Sequence, residues 1–272
     1  MTDAVDIPGP KVMLIGPIGC GKTHALRSII EAGFKVGAVF TEPGMETVAD
    51  IPADKLAWHY IPPAGPDWND MIDSAKKINT LTFKLLSEMG DVNKSKYQEF
   101  IDLLKCLSNF TDDRTGNVLG SVDSWGYDRV LFLDSLSGLN IMAMNLVTGS
   151  KPVKSMADWG VAMDNLERLI TRLTTAIKCP VVVTAHPERE TDEVNGGSNI
   201  MASTLGRKLA PRLPRFFSDV IYVGRNKDDF YWSTSMTGAD LKARNLPRGE
   251  KLKPSFVPLF TEWSRRTGVA LK

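Results

Sequence analysis

Cysteine is scarce and scattered: three residues, Cys20, Cys106 and Cys179, in a chain of 272, with no CxxC spacing between any two. That argues against a disulfide framework or a structural zinc site and points to a reducing compartment. Long apolar runs are missing too. None approaches the ~20 residues a membrane helix needs, so no membrane partner is expected. The opening residues MTDAVDIPGP lack the basic, apolar, small-residue progression of a secretory signal, and the expectation is a cytoplasmic protein. Neither charge predominates, with 33 Lys and Arg against 32 Asp and Glu. No global field therefore advertises nucleic acid, although a local basic groove would suffice for it. Internal repeats and low-complexity tracts are absent as well. What is present is ordinary globular composition, 43% hydrophobic and 24% charged, read as one domain over residues 1–272.

The order of apolar runs gives the fold class. KVMLIG (11–16) reads as a buried strand, THALRSIIEAG as a helix stopped by Gly33, and KVGAVFTE (35–42) as a second strand. Strand, helix, strand opens a parallel α/β sheet. LAWHYIPP adds a short strand. Over 67–110 the apolar residues recur at helical spacing, which predicts two amphipathic helices separated by GDVNKSK as a helical insertion. TDDRTGNVLGSVDSWGYD reads as a loop. The sheet resumes at RVLFLD (129–134), a long helix follows over 159–177, and CPVVVTAH (179–186) is a buried-type strand. SDVIYVGR and DFYWSTSMT are expected to pair as a hairpin in a C-terminal segment of about 218–272.

GPIGCGKT (16–23) carries the chemistry. Glycines at these spacings let backbone N–H groups cradle phosphate, and the spacing is that of a P-loop between a strand and a helix. Gly16, Pro17, Ile18, Gly19, Cys20, Gly21, Lys22, Thr23 and His24 are the expected nucleotide contacts. Lys22 reaches the outer phosphates, and the Thr23 hydroxyl with Asp134 holds magnesium. The implied cofactors are ATP and Mg2+. The residue after Asp134 is Ser135, so no glutamate follows the magnesium carboxylate to activate water. Glu42, at the tip of the second strand, is the alternative base, because C-terminal strand ends share one crevice in a parallel sheet.

These features together resemble the RecA-like ATPases: a P-loop, a glutamate ending the next strand, an Asp without a following Glu, and a polar residue, His186, after VVVTA. The resemblance covers most of 11–247, with 67–125 as a variable insertion. It implies a RecA-like P-loop NTPase core with a mainly parallel sheet flanked by helices. It also implies a γ-phosphate sensor at His186, where that group more often has glutamine. The long polar stretch 187–219 lies where the group keeps its second DNA-binding loop, with Asn195, Asn199, Arg207, Lys208, Arg212 and Arg215 as contacts. The stretch after Asp134 corresponds to the first DNA loop, with Lys151 and Lys154. Lys242 and Arg244, a Lys-x-Arg pair, match the finger that reaches a neighbour's ATP, which implies a homo-oligomer with ATP at the protomer interface. LFLDSLSGL, VVVTAH and LKARNLP look more specifically like bacteriophage RecA-like nucleotide-binding proteins, some of which anneal single strands. The implied partners are single-stranded DNA and a single-strand DNA-binding protein, in the host cytoplasm if phage-encoded. Only residues 1–10 precede the first strand, so the polymerising N-terminal segment of RecA recombinases, and with it a long filament, is not expected.

The leading expectation is a DNA-stimulated ATPase that assists annealing or recombination. A P-loop switch or loader acting on a protein partner is the alternative, and a small-molecule kinase a weaker one.

Overall fold

An apolar run without alternation is a strand covered on both faces, and β1 (Lys11–Ile15) is buried along its whole length. The computed structural model describes residues 7–65, 67–89, 94–192, 197–227 and 229–270. After β1 come α1 (Leu26–Glu31), β2 (Lys35–Phe40), β3 (Leu56–Tyr60), α2 (Trp68–Thr80), α3 (Phe83–Glu88) and α4 (Glu99–Ser108). Then follow β4 (Phe110–Thr111), β5 (Val118–Gly120), β6 (Arg129–Asp134), α5 (Leu136–Thr148), α6 (Met156–Thr175) and β7 (Val181–Ala185). The chain continues through β8 (Pro187–Asp192), β9 (Gly197–Ala202), α7 (Gly206–Leu209), β10 (Asp219–Asn226), β11 (Asp229–Ser233) and α8 (Val257–Thr267).

Seven strands form the main sheet in the order β11-β10-β1-β7-β6-β2-β3. All neighbours are parallel except β10 and β11, an antiparallel edge pair. The strand period of two sends successive side chains to opposite faces. Met13, Val39, Leu131, Leu133 and Val183 pack under α4, α5 and α6. Val12, Leu14, Ala38, Phe132 and Val182 pack with Leu26 and Ile29 of α1 and Leu259, Phe260 and Trp263 of α8. Each valine, leucine, isoleucine, phenylalanine or methionine among them removed from water contributes about 1.5–3 kcal/mol. This is the RecA-like architecture: a mainly parallel sheet between helices, with an antiparallel pair at its C-terminal edge.

α6 shows how sequence sets an element. Ser155 and Asp158 form a reciprocal capping box at its start, which satisfies two orphan N–H donors. Leu166, Ile170 and Leu173 then bury one stripe. Among the described residues no helix is long and apolar enough to cross a membrane.

Several expectations need correction. Residues 67–89 are two helices, because Leu81 and Thr82 are extended and the Thr82 side chain caps α3. Neither α2 nor α3 contains a buried residue, so their apolar stripe is not core. The expected loop 111–128 contains the short β4–β5 pairing. The stretch after Asp134 is helix α5, whose apolar residues Leu136, Leu139, Met142, Ala143 and Met144 are buried because they have core to pack against. Residues 187–192 and 197–216 are not a loop either: β8 and β9 pair antiparallel, and a short helix and a 3-10 turn lead into β10. α8 went unanticipated in the C-terminal segment, although Leu259, Phe260 and Trp263 mark its buried face.

Candidate active site

Parallel pairing brings the C-terminal ends of β1, β7, β6 and β2 to one edge. Ile15 is opposite Ala185, and Phe40 is opposite Asp134. Residues 16–23, 41–42, 134–135 and 186 therefore share that edge, which is where ligands bind in open α/β sheets. The P-loop turns through Gly19 and Gly21, at φ +72° and +91°, conformations that a side chain disfavours. Residues 22–25 form overlapping turns before α1, so the helix proper starts at Leu26, later than the sequence suggests.

Lys22 is 7% exposed, and its ammonium donates to the Gly16 carbonyl at 2.7 Å and the Pro17 carbonyl at 2.9 Å. Burial pulls its pKa down, against the Cys20 thiol, Asp134 and Glu42, which pull it up. A buried cation held only by loop carbonyls is a seat for an anion. Both oxygens of Asp134 are engaged: the Thr23 hydroxyl donates to Oδ2 at 2.5 Å, and the Thr184 hydroxyl donates to Oδ1 at 2.5 Å. A hydroxyl and a carboxylate touching at one spot are the oxygen donors magnesium takes beside phosphate, so Thr23 and Asp134 fit that ion. Bound there, it would neutralise phosphate charge. His186 Nε2 lies 3.5 Å from Glu42 Oε2, both side chains about one-third exposed. Lys22, Thr23, Asp134, Glu42 and His186 are thus brought together.

Residues 8–246 match the family model of the AAA domain. The chain belongs to the AAA-domain family. Its core is that of a RecA-like P-loop ATPase, with the P-loop sequence Gly16–Thr23 following β1 at the C-terminal edge of the sheet. No curated protein matches the sequence. Among solved structures, the AAA-domain chain is similar to the RadB recombinase at 14% identity, over 90% of this chain and 85% of that one, with a TM-score of 0.38. It is also similar to a prototypical ATPase from the type III secretion system of pathogenic bacteria, at 12% identity over 80% of this chain and 52% of that chain, TM-score 0.40. EscN, the ATPase of the enteropathogenic E. coli type III secretion system, gives 14% identity over 80% and 43%, TM-score 0.39. The chain spans about half the length of those two secretion ATPases. Likeness at this level speaks of neither substrate nor partner.

Other sequence candidates lie elsewhere in the AAA-domain chain. Lys242 pairs with Val220 near the start of β10, the end of the sheet away from its own P-loop. Its ammonium donates to the Pro214 carbonyl at 3.1 Å and the Phe217 carbonyl at 2.7 Å. Arg244 is exposed, and its backbone N–H donates to Asp219. Lys151 pairs with Asp158 at 2.8 Å, and the Lys154 ammonium lies 5.9 Å from the centre of the Trp159 ring. Arg215 and Arg212 both face Glu167, at 2.6 and 3.8 Å. Lys208 is exposed, and Asn199 is half-buried in β9. Asn195 and the Arg207 side chain lie outside the described residues. Glu188, Arg189 and Glu190 of β8 are all exposed, an acidic balance unlike a phosphate-binding loop.

Sequence reasoning missed Thr184 and Thr41. The signal for each was a threonine within an otherwise apolar strand end, in VVVTAH and AVFTE. It also missed a groove of about 460 Å³ beside the P-loop, lined by Gly21, His24, Phe230, Trp232 and Lys253. The His24 and Phe230 rings stack there with centroids 6.3 Å apart. The Trp232 indole N–H is buried and unpartnered.

Proposed function

We propose that this protein hydrolyses ATP and uses the nucleotide state to control binding of single-stranded DNA, in a homo-oligomer with ATP between protomers. The observation that carries the reading is the His186–Glu42 approach of 3.5 Å. His186 is also the residue from which the β8–β9 hairpin springs: Ser203 N–H donates to the His186 carbonyl at 2.8 Å, closing the hairpin base. A group that leaves Glu42 for a γ-phosphate therefore moves the root of the hairpin, and the two sites are energetically linked. Glu42 orients water, Lys22 and the P-loop amides hold phosphate, and Thr23 with Asp134 holds magnesium. The groove at His24 and Phe230 suits the base by stacking.

The DNA contacts fall after the hairpin, at Lys208, Arg212 and Arg215, rather than on its acidic strand. Two features support assembly. Ile18, at the P-loop tip, is 88% exposed, and a neighbour would cover it. Exposed Arg244 lies on the far end of the sheet, where it can serve only another copy's ATP.

The test is ATP turnover by wild type and Glu42→Gln, with and without single-stranded DNA. DNA stimulation of the wild type, with ATP binding but no turnover by Glu42→Gln, is the expected result. A rate indifferent to DNA removes the DNA reading. A second reading, a switch acting on a protein partner, has its own observation: Trp68 and Phe83 of the insertion are 79% and 73% exposed.

A further inference from the structure

Thr41 sits between the two carboxylates of the site, adjacent to Glu42 in sequence and against Asp134–Ser135 in space. It is 1% exposed. Its backbone N–H donates to the Asp134 carbonyl at 2.7 Å, extending the β2–β6 pairing one residue beyond the strands. Its hydroxyl accepts from the Ser135 N–H at 2.9 Å and donates to the Ser135 carbonyl at 3.1 Å. Three hydrogen bonds thus tie one residue to the two-residue segment that carries the magnesium carboxylate.

The surroundings are built for this contact. A Cβ added at Gly138, on the first turn of α5, would lie 2.1 Å from the Thr41 hydroxyl oxygen. Glycine alone lets α5 approach so closely. Ser135 is the N-cap residue of α5, yet its own hydroxyl makes no cap bond and is buried without a partner. The Thr41 hydroxyl, not the Ser135 hydroxyl, supplies the polar contacts at this point. A buried hydroxyl with both its donor and acceptor functions used on the backbone N–H and C=O of one residue is a rigid bracket.

We propose that Thr41 is a positioning residue that fixes Glu42 and Asp134 relative to each other, through the two hydrogen bonds of its hydroxyl to Ser135. The inference rests on the reading of Glu42 as base and Asp134 as magnesium carboxylate. Misplacement of reacting groups by a fraction of the bracket's length costs turnover far more than it costs binding.

The test uses Thr41→Val, which keeps the shape and removes the hydroxyl, and Thr41→Ser, which keeps the hydroxyl. Glu42→Gln is run beside them, and thermal unfolding is recorded for all. Two quantities are read: kcat against KM for ATP, and the tightening of ATP binding by Mg2+ measured by direct titration. Thr41→Val is expected to lower kcat about tenfold or more with KM within about threefold, and to need more Mg2+ for half-maximal ATP binding. Thr41→Ser is expected to stay within about threefold of wild type in both. Wild-type kcat and Mg2+ dependence in Thr41→Val overturn the bracket. So does a Thr41→Ser as defective as Thr41→Val, which would assign the effect to the methyl group. Turnover that survives Glu42→Gln overturns the base assignment instead, and the Mg2+ titration then decides the Asp134 half by itself. Should Thr41→Val not fold, a wild-type-like Thr41→Ser together with a Gly138→Ala that folds and keeps wild-type kcat overturns the bracket, because that methyl displaces the hydroxyl without removing it.

Discussion

Helix α6 buries Leu166, Ile170 and Leu173 against the sheet, whereas α2, with apolar residues at the same helical spacing, buries none. Met71 and Ile72 are each 49% exposed, and Ile78 is 54% exposed. The two helices differ in what lies opposite their apolar stripes. α6 faces strands that were themselves apolar, so its stripe closes a core. α2 and α3 face a groove of about 520 Å³ whose other wall is the α5–α6 turn at Gly149–Pro152. Periodicity reports that a helix has an apolar face, but only the partner face decides whether that face is core or a contact surface. α6 itself contains both situations, since Met156 and Val161 in its first turns are 88% and 53% exposed.

The contrast can be broken most directly by truncation. Leu166→Ala is expected to cost about 2–5 kcal/mol of stability in denaturant unfolding, the usual range for a buried leucine. If it costs under 1, α6 is not the core helix described. Glu42→Gln is expected to lower turnover at least about a hundredfold, roughly 2.7 kcal/mol of barrier, with unfolding unchanged. It tests the edge of the sheet rather than its core. Arg215→Ala is smaller: single-stranded DNA affinity should fall and its salt slope flatten by about one, and an unchanged slope assigns Arg215 to its Glu167 pair alone. Trp68→Ser should move stability by less than about 0.5 kcal/mol. A loss comparable to that of Leu166→Ala would mean that the insertion closes onto the body in solution.

Legibility followed the same division. The strands β1, β2, β6 and β7 could be read because each is an apolar run with no competing period. The P-loop could be read because its backbone demands glycine at set positions. Glu42 and Asp134 followed from the rule that parallel strand ends meet, and the register puts Phe40 opposite Asp134. The β8–β9 hairpin escaped because PERETD and GSNIMA lack the apolar alternation of a half-buried strand. Its pairing is held by backbone bonds and by an edge bridge, in which the Ile200 N–H donates to the Gly238 carbonyl and the Asp240 N–H donates to the Ile200 carbonyl. Thr41 and Thr184 escaped because their role is a hydrogen bond to a residue far along the chain, which no local pattern encodes. The cations assigned to DNA were legible as charge, but the ion pairs that hold Arg212, Arg215 and Lys151 were not.

The smallest expected effect sits where the two regions meet, at the start of α6. Asp158 is held down to about 2, first by the hydrogen bond from Lys151 and then by the Ser155 N–H and hydroxyl. Its ordinary value is 3.8, so the folded state prefers the carboxylate. A group depressed in this way lends stability that is fully present above its ordinary value and is lost as pH falls through about 2. Asp158→Asn keeps the size and removes the charge. The variant should therefore melt slightly below wild type at pH 6, and the gap should close as pH approaches 2. Lys151 and Pro152 also line the groove against α2 and α3, so the same substitution loosens the turn that the insertion faces. A gap that persists at low pH would show that the Asp158 oxygens act as neutral acceptors in the capping box, with Lys151 a bystander. A gap that closes ties the first turn of α6, and the wall of the groove beside it, to one ion pair.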